Sequence, residues 1–197
     1  MNEATSKNQS MDDEDAAVTS RRKFLKNMAY GSLLSVAGSN IANAGILHFP
    51  SFKTLALENM HTGDKLKLTY FEAGSYIKDA LQEISYLFRD YHTGDIHPID
   101  PALLDQLYDL KLILGVRKPF HVVSGYRSPL TNAKLRRNSR GVAKNSFHMQ
   151  GRAIDIQIAG VDTKRIRNAA LAMQRGGVGY YPRSEFVHLD TGSFRTW

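Results

Sequence analysis

The chain has 197 residues, 42% of them hydrophobic and 23% charged, which is the composition of an ordinary globular protein. It contains no cysteine, so disulfide bonds, thiolate metal sites and a cysteine nucleophile are excluded. The formal net charge is +7, and residues 45–197 carry all of it because the charges of the first 44 residues cancel. A basic surface favours an anionic partner such as a nucleic acid or an anionic wall polymer. The sequence has no recognised nucleic-acid motif, and we expect no nucleic-acid partner.

The first 44 residues are ordered like an export signal. Residues 1–19 are polar, which predicts disorder. Arg21-Arg22 then precedes a weakly apolar stretch at 28–41, and Ala42-Asn43-Ala44 matches an A-x-A cleavage site. The paired arginines are typical of a twin-arginine signal, and the stretch is too short and polar for a membrane-spanning helix. We therefore predict a twin-arginine signal peptide at 1–44, cleavage near Ala44, and a mature domain at 45–197 without a stable membrane span. The export machinery is then a partner of the precursor, and the mature protein is periplasmic.

The first half of the mature chain predicts a hairpin and two helices. Apolar runs at 55–60 and 66–70 flank His61-Thr62-Gly63-Asp64, a turn sequence that returns as His92-Thr93-Gly94-Asp95. We interpret both copies as turns rather than metal sites. Helical spacing of apolar residues predicts a helix over 75–90. Asp100-Pro101 and Gly115 are typical of the start and end of a second helix.

The second half alternates short strands with helices. It predicts a strand at 120–123, one or two helical turns at 131–137, a basic loop at 136–144, a helix at 162–175, and final strands at 178–181 and 186–189. Ile154, Ile156 and Ile158 alternate with Asp155 in another strand, so Asp155 points away from the isoleucine core. The fold class is α+β, with a small antiparallel sheet that carries a metal site and has flanking helices.

Three residues in this half have the chemistry of a metal site. His148 lies in a loop before Gly151, Asp155 lies on the strand that follows, and His188 lies on a later strand that can pair alongside. Two histidines and one carboxylate are a common ligand set for catalytic zinc, and they leave one position open for water. Each residue alone is weak evidence. The joint pattern, Ser-x-His-x-x-Gly-x-Ala-x-Asp followed by Val-His-Leu-Asp, is highly specific.

This pattern resembles the zinc D-alanyl-D-alanine peptidases, the group that includes VanX-type dipeptidases and penicillin-insensitive murein endopeptidases. Within that group the chain looks most like the YcbK-like murein endopeptidases, over roughly residues 50–197. Four further segments also match: Asn59-Met60-His61-Thr62-Gly63, Ser124-Gly125-Tyr126-Arg127-Ser128-Pro129, Gly179-Tyr180-Tyr181-Pro182 and Arg195-Thr196-Trp197.

The resemblance implies a role for each site residue. One zinc ion per chain would be bound by His148, Asp155 and His188. A general base would lie three residues before the last histidine, where this chain has Glu185. Asp190 is the alternative candidate for the base. Because Asp190 shares strand parity with His188, it could instead orient a metal ligand. Arg127 would stabilise the oxyanion or bind substrate, or alternatively form a structural salt bridge. Ser146 and Tyr126 are further candidates for substrate binding.

The reaction that these roles imply is hydrolysis of peptide cross-links in peptidoglycan. The stem peptides of peptidoglycan carry free carboxylates, which suit a basic surface. The candidate wall contacts are Lys134, Arg136, Arg137, Arg140 and Lys144. Two alternatives remain open: a D,D-carboxypeptidase or dipeptidase that trims free stem peptides, and a non-catalytic zinc-containing wall-binding module.

Overall fold

The computed structural model describes residues 51–139 and 141–197. The predicted signal peptide with its cleavage site, and Arg140 of the basic loop, lie outside the described residues. Within those two ranges, no helix has the length and hydropathy needed to cross a bilayer.

The described part of the chain forms an eight-stranded sheet and four α-helices. The strands are β1 Phe52–Asn59, β2 Lys65–Glu72, β3 Ser75–Tyr76, β4 Phe120–Ser124, β5 Ala153–Gln157, β6 Gly177–Tyr181, β7 Phe186–Asp190 and β8 Arg195–Thr196. The helices are α1 Lys78–Leu87, α2 Pro101–Leu114, α3 Pro129–Asn138 and α4 Thr163–Ala172, and a 3₁₀ turn covers Phe147–Gln150. The strand order is β3-β2-β1-β4-β5-β7-β6-β8.

The α+β class is confirmed, but the expectation of a small antiparallel sheet is wrong. The sheet has eight strands, and β1 pairs with β4, and β6 with β8, in parallel. A parallel pair needs a long crossover, and the segment containing α1 and α2 supplies it between β1 and β4. Local alternation predicts strands but does not say which of them will pair, so the sheet size could not be predicted from it.

One hydrophobic core joins the sheet to three of the helices. Ile84 of α1, Leu107 of α2 and Ile166 of α4 are fully buried together with Ile154 and Ile156 of β5. Helix α3 contributes no hydrophobic side chain to this core, and its Leu130 is 67% exposed. Because side chains alternate along a strand, Asp155 lies on the opposite face of the sheet from the isoleucines. The polar site is built on that face.

The helix boundaries follow the predicted capping residues. The Asp100 side chain accepts a hydrogen bond from the Ala102 amide at the start of α2, and Gly115 ends the helix with a φ of 64°. Asp162 accepts from the Lys164 amide at the start of α4. This helix ends at Ala172, three residues earlier than predicted, and helix α1 starts three residues later because Ser75–Tyr76 pairs with β2.

The repeated His-Thr-Gly-Asp sequence forms the same turn twice. Asn59 and Asp90 each precede one copy: the Asn59 side chain accepts hydrogen bonds from the His61 and Thr62 amides, and the Asp90 side chain accepts one from the His92 amide. The first copy joins β1 to β2 and the second follows α1, as predicted. The two turns touch, because the His61 ring stacks on Tyr91 with centroids 3.7 Å apart. The metal interpretation that we set aside is not needed to explain either copy.

Candidate active site

The loop before β5 brings His148 to the polar face of the sheet. Ser146 caps the 3₁₀ turn by accepting a hydrogen bond from the His148 amide, and Gly151 ends it with a φ of 65°. The His148 Nδ1 atom lies 2.7 Å from the Gly125 carbonyl oxygen. A carbonyl can only accept, so Nδ1 carries the proton and Nε2 presents its lone pair to the site.

Strand pairing places the other two predicted ligands side by side. Asp155 of β5 and His188 of β7 are register partners in an antiparallel pair, so their side chains leave the same face of the sheet. His148, Asp155 and His188 are all buried, with 3%, 6% and 8% exposure. Among the described residues they form the group of histidines and acids that could hold a metal ion.

The donor atoms of this group fit a tetrahedral metal. Nε2 of His148 lies 3.2 Å from Nδ1 of His188 and 3.3 Å from Oδ1 of Asp155, and the latter two atoms are 2.8 Å apart. Zinc binds nitrogen and oxygen at about 2.0–2.2 Å, so a tetrahedral site separates its ligand atoms by about 3.3–3.6 Å. Two edges of the triangle are therefore close to the required length, and the third is about half an ångström short.

The electrostatics of the group also suit a cation. Burial lowers the pKa of His148, which keeps its imidazole neutral at neutral pH as a metal ligand must be. Burial would raise the pKa of Asp155, but the two neighbouring histidines outweigh it and hold this pKa well below its usual range. Burial would likewise lower the pKa of His188, but hydrogen bonds to Asp155 and Asp190 raise it to about 9. The two carboxylates thus favour a positive charge at His188, which a proton supplies in the metal-free site and which a metal ion would supply by displacing the proton on Nδ1.

Asp190 is the residue behind His188. It is fully buried, and its Oδ2 lies 3.1 Å from Nε2 of His188. Its oxygens also accept hydrogen bonds from the amides of Gly177 and Gly192 and from both terminal nitrogens of Arg195. A carboxylate in this position fixes the proton on Nε2 and turns Nδ1 of His188 toward the site.

The sequence did not predict that Arg195 and Gly177 contribute to this site. Arg195 crosses strand β6 to reach Asp190, and a Cβ at Gly177 would lie 2.8 Å from its guanidinium carbon. Glycine inside a strand commonly marks such a close approach. The Gly176-Gly177-Val178-Gly179 sequence was therefore a signal that could have identified this contact.

Arg127 lies beside the metal group. Its Nη2 atom is 3.6 Å from Oδ2 of Asp155 and donates a hydrogen bond to the Ser124 hydroxyl at 3.3 Å. The Arg127 amide donates to the His148 carbonyl, which ties this loop to the 3₁₀ turn. The Arg127 side chain has 12% exposure, so it is largely buried at the edge of the group.

The remaining predicted site residues are not members of the three-residue metal group. Ser146 is buried as the cap of the 3₁₀ turn, and the Tyr126 ring stacks on His97. Glu185 is exposed in the turn between β6 and β7, with a φ of 55°. It lies three residues before His188, roughly 10 Å along an extended chain. Of the two candidate general bases, Asp190 contacts His188 in the described structure and Glu185 does not.

The predicted wall contacts that the structure describes are on the surface. Lys134, Arg136, Arg137 and Lys144 are all exposed in or after helix α3. Their solvation is equally consistent with an ordinary basic loop.

Comparison with known proteins finds relatives whose similarity extends over most of the chain. Residues 49–197 match the family described as peptidoglycan L,D-endopeptidase MepK. The peptidoglycan L,D-endopeptidase MepK of Escherichia coli strain K12 is 49% identical over 173 residues, which cover 84% of this chain and 94% of that protein. A probable peptidoglycan L,D-endopeptidase MepK of Haemophilus influenzae is 39% identical over 178 residues, covering 90% and 95%. The chain therefore belongs to the M15-type family of peptidoglycan L,D-endopeptidases.

Proposed function

We propose that this protein is a zinc-dependent endopeptidase that hydrolyses peptide cross-links in peptidoglycan. The observation that carries the proposal is the buried triangle formed by Nε2 of His148, Oδ1 of Asp155 and Nδ1 of His188. Two of its three edges suit tetrahedral zinc, and the fourth position of such a site is left for a reactant. Zinc in such a site acts as a Lewis acid and makes a strong nucleophile available at neutral pH.

The surrounding residues orient a metal ligand, stabilise the developing charge and transfer protons. Asp190 holds the Nε2 proton of His188, so that Nδ1 keeps its lone pair for the metal. The Arg127 guanidinium stabilises the negative charge that develops on the attacked carbonyl oxygen. A general base removes a proton from the attacking water and delivers it to the amine nitrogen as the C–N bond breaks.

We assign the general base to Glu185. The five hydrogen bonds that Asp190 already accepts support this choice, because they occupy the lone pairs that a base would need. The exposed position of Glu185 requires its turn to approach the site when substrate binds. Apo structures often show catalytic contacts longer than those in the complex.

We propose that the bond is of the L,D type, since the relatives from Escherichia coli strain K12 and Haemophilus influenzae are named as a peptidoglycan L,D-endopeptidase and a probable one. The test is digestion of purified peptidoglycan with and without a chelator, followed by muramidase treatment and mass analysis of the soluble muropeptides. We expect cross-linked dimers to be converted to monomers, the conversion to stop with chelator, and zinc to restore it. Release of terminal D-alanine alone would show a carboxypeptidase instead. Unchanged muropeptides after treatment with the fully zinc-loaded protein would show a binding module.

We also propose that the protein is exported by the twin-arginine route and acts in the periplasm. The support is the Arg21-Arg22 pair, the Ala42-Asn43-Ala44 site, and a family match that begins at residue 49, just after the predicted cleavage. Changing both arginines to lysine should leave an uncleaved precursor in the cytoplasm, which fractionation and immunoblotting would detect. Normal appearance of the mature form in the periplasm would contradict this export route.

A further inference from the structure

A second glycine opens space on the metal-bearing face of the sheet. Gly179 of β6 is the register partner of His188 in β7, so its missing side chain would lie on the same face as the His188 imidazole. The indole of Trp197 occupies that space. A Cβ at Gly179 would lie 2.8–2.9 Å from three atoms of the indole. Trp197 thus lies directly over β6, next to the metal group.

The indole is held firmly in this position. Its Nε1–H donates a hydrogen bond to the Tyr181 hydroxyl at 2.8 Å. The Trp197 backbone continues the pairing of β8 with β6, donating to the Val178 carbonyl and accepting from the Tyr180 amide. The Arg195 guanidinium lies 5.1 Å from the ring centre. Three independent contacts therefore fix the orientation of one aromatic ring.

This fixed ring is nevertheless half exposed. The Trp197 side chain lies 5.3 Å from the His188 ring, centroid to centroid, and retains 49% exposure. A large apolar surface held beside a metal site can bind a ligand with little loss of conformational entropy. Aromatic anchors of this kind are common where binding energy concentrates.

We propose that Trp197 is a substrate-contacting residue whose exposed indole face packs against the aliphatic part of the stem-peptide residue next to the scissile bond. This inference rests on the proposed function, because it assumes that the peptide binds at the metal group. Packing of this type holds the substrate without taking part in the proton transfers. Its loss should therefore raise KM more than it lowers kcat.

Fluorescence tests the contact directly, because Trp197 is the sole tryptophan of the chain. The probe is a cross-linked muropeptide dimer released from peptidoglycan by a muramidase, mixed with the zinc-loaded enzyme in a stopped-flow instrument. We expect the emission to shift to shorter wavelength before turnover, with a half-maximal dimer concentration close to KM. Unchanged emission at saturating dimer, while the dimer is being cleaved, would overturn the proposal.

Three variants separate substrate contact from structural support. Trp197→Ala should raise KM about tenfold or more, and Trp197→Phe should raise it less. Gly179→Ala should also raise KM, because the new methyl group displaces the indole without removing it. Phe52→Ala is the matched control: Phe52 is an aromatic residue with 57% exposure in β1, and strands β4, β5 and β7 separate β1 from β6. Its KM should be unchanged.

Measuring the zinc content of the variants and the activity of the wild-type protein distinguishes failure of this proposal from failure of the proposed function. If Trp197→Phe and Gly179→Ala lose zinc in parallel with activity, Trp197 supports His188 and the proposed substrate contact is wrong. An unchanged KM in Trp197→Ala would also reject it. If the wild-type protein shows no chelator-sensitive hydrolysis of the same dimer, the proposed function fails instead.

Discussion

Replacement of Asp190 by asparagine should weaken zinc binding while leaving the shape of the site intact. Oδ1 of Asp190 accepts from two backbone amides and one Arg195 nitrogen, while Oδ2 accepts from the other Arg195 nitrogen and faces Nε2 of His188 at 3.1 Å. Asparagine keeps one oxygen, which will face the two backbone amides because they cannot rotate away. Its amide nitrogen then faces Nε2 of His188, donor against donor.

The imidazole can relieve this conflict by moving its proton. Nε2 of His188 would then accept from the asparagine amide, and Nδ1 would become protonated and donate to Asp155 at the observed 2.8 Å. A protonated Nδ1 cannot bind a metal. Loss of a partner that orients a metal-binding histidine typically reduces metal affinity 10–100-fold, which corresponds to roughly 1.4–2.7 kcal/mol.

The substitution should also destabilise the fold. The hydrogen bonds that Arg195 and His188 donate to the charged Oδ2 are lost, each worth about 1.5–3 kcal/mol when buried, and the neutral bond from the asparagine amide to Nε2 of His188 replaces only part of the second. The Arg195 side chain is 42% exposed, so solvent screening reduces the contribution of its hydrogen bond to the lower end of that range, about 1.5 kcal/mol. We expect the free energy of unfolding of the metal-free protein to fall by about 3 kcal/mol, and Tm by roughly 6–12 °C for a domain of this size.

Zinc affinity is measured by competition with a chromophoric chelator at pH 7, and stability by thermal unfolding of the metal-free protein. Asp109→Asn is the control, because Asp109 pairs with Arg175 on the surface at 36% and 52% exposure. Such a pair contributes at most about 1 kcal/mol and should not affect zinc. Full zinc affinity together with lost turnover in Asp190→Asn would refute the orienting role and make Asp190 the general base.

Three further substitutions test the other site assignments. His148→Ala should lose zinc and activity together, and full zinc occupancy measured by elemental analysis would remove His148 from the ligand set. Arg127→Lys should retain zinc and lose about tenfold or more in kcat, because lysine lacks the planar fork of donors. Unchanged hydrolysis would make the Arg127 contact with Asp155 purely structural. Glu185→Gln should keep zinc and reduce turnover ~10²-fold or more, as expected for a general base. Near-normal turnover would reject that assignment.

Local features of this fold could be predicted from the chain itself. Asp100, Gly115 and Asp162 mark helix ends by backbone chemistry that involves only a few neighbouring residues. The alternation of isoleucines around Asp155 likewise predicted which face of β5 would be polar. These predictions succeed because caps and alternation depend on residues within about one turn or one strand.

The neighbourhood of the metal group depended instead on pairing between distant segments. The sequence indicated His148, Asp155 and His188 as a set, but the sheet register places Asp155 opposite His188 and orders the strands so that β8 lies beside β6. The contact of Arg195 with Asp190 follows from that order, as does the position of Trp197 over Gly179.

The sequence alone could not decide which of Glu185 and Asp190 lies beside His188. Glu185 directly precedes β7 and Asp190 is its last residue, and strand parity alone could align only Asp190 with His188. The tertiary structure decided that Asp190 is buried among five donors while Glu185 lies exposed in a turn. Residue type and spacing determine which side chains can bind a metal. Which of them meet depends on backbone hydrogen bonds between strands far apart in sequence, because only those bonds set the register that brings side chains within a few ångströms.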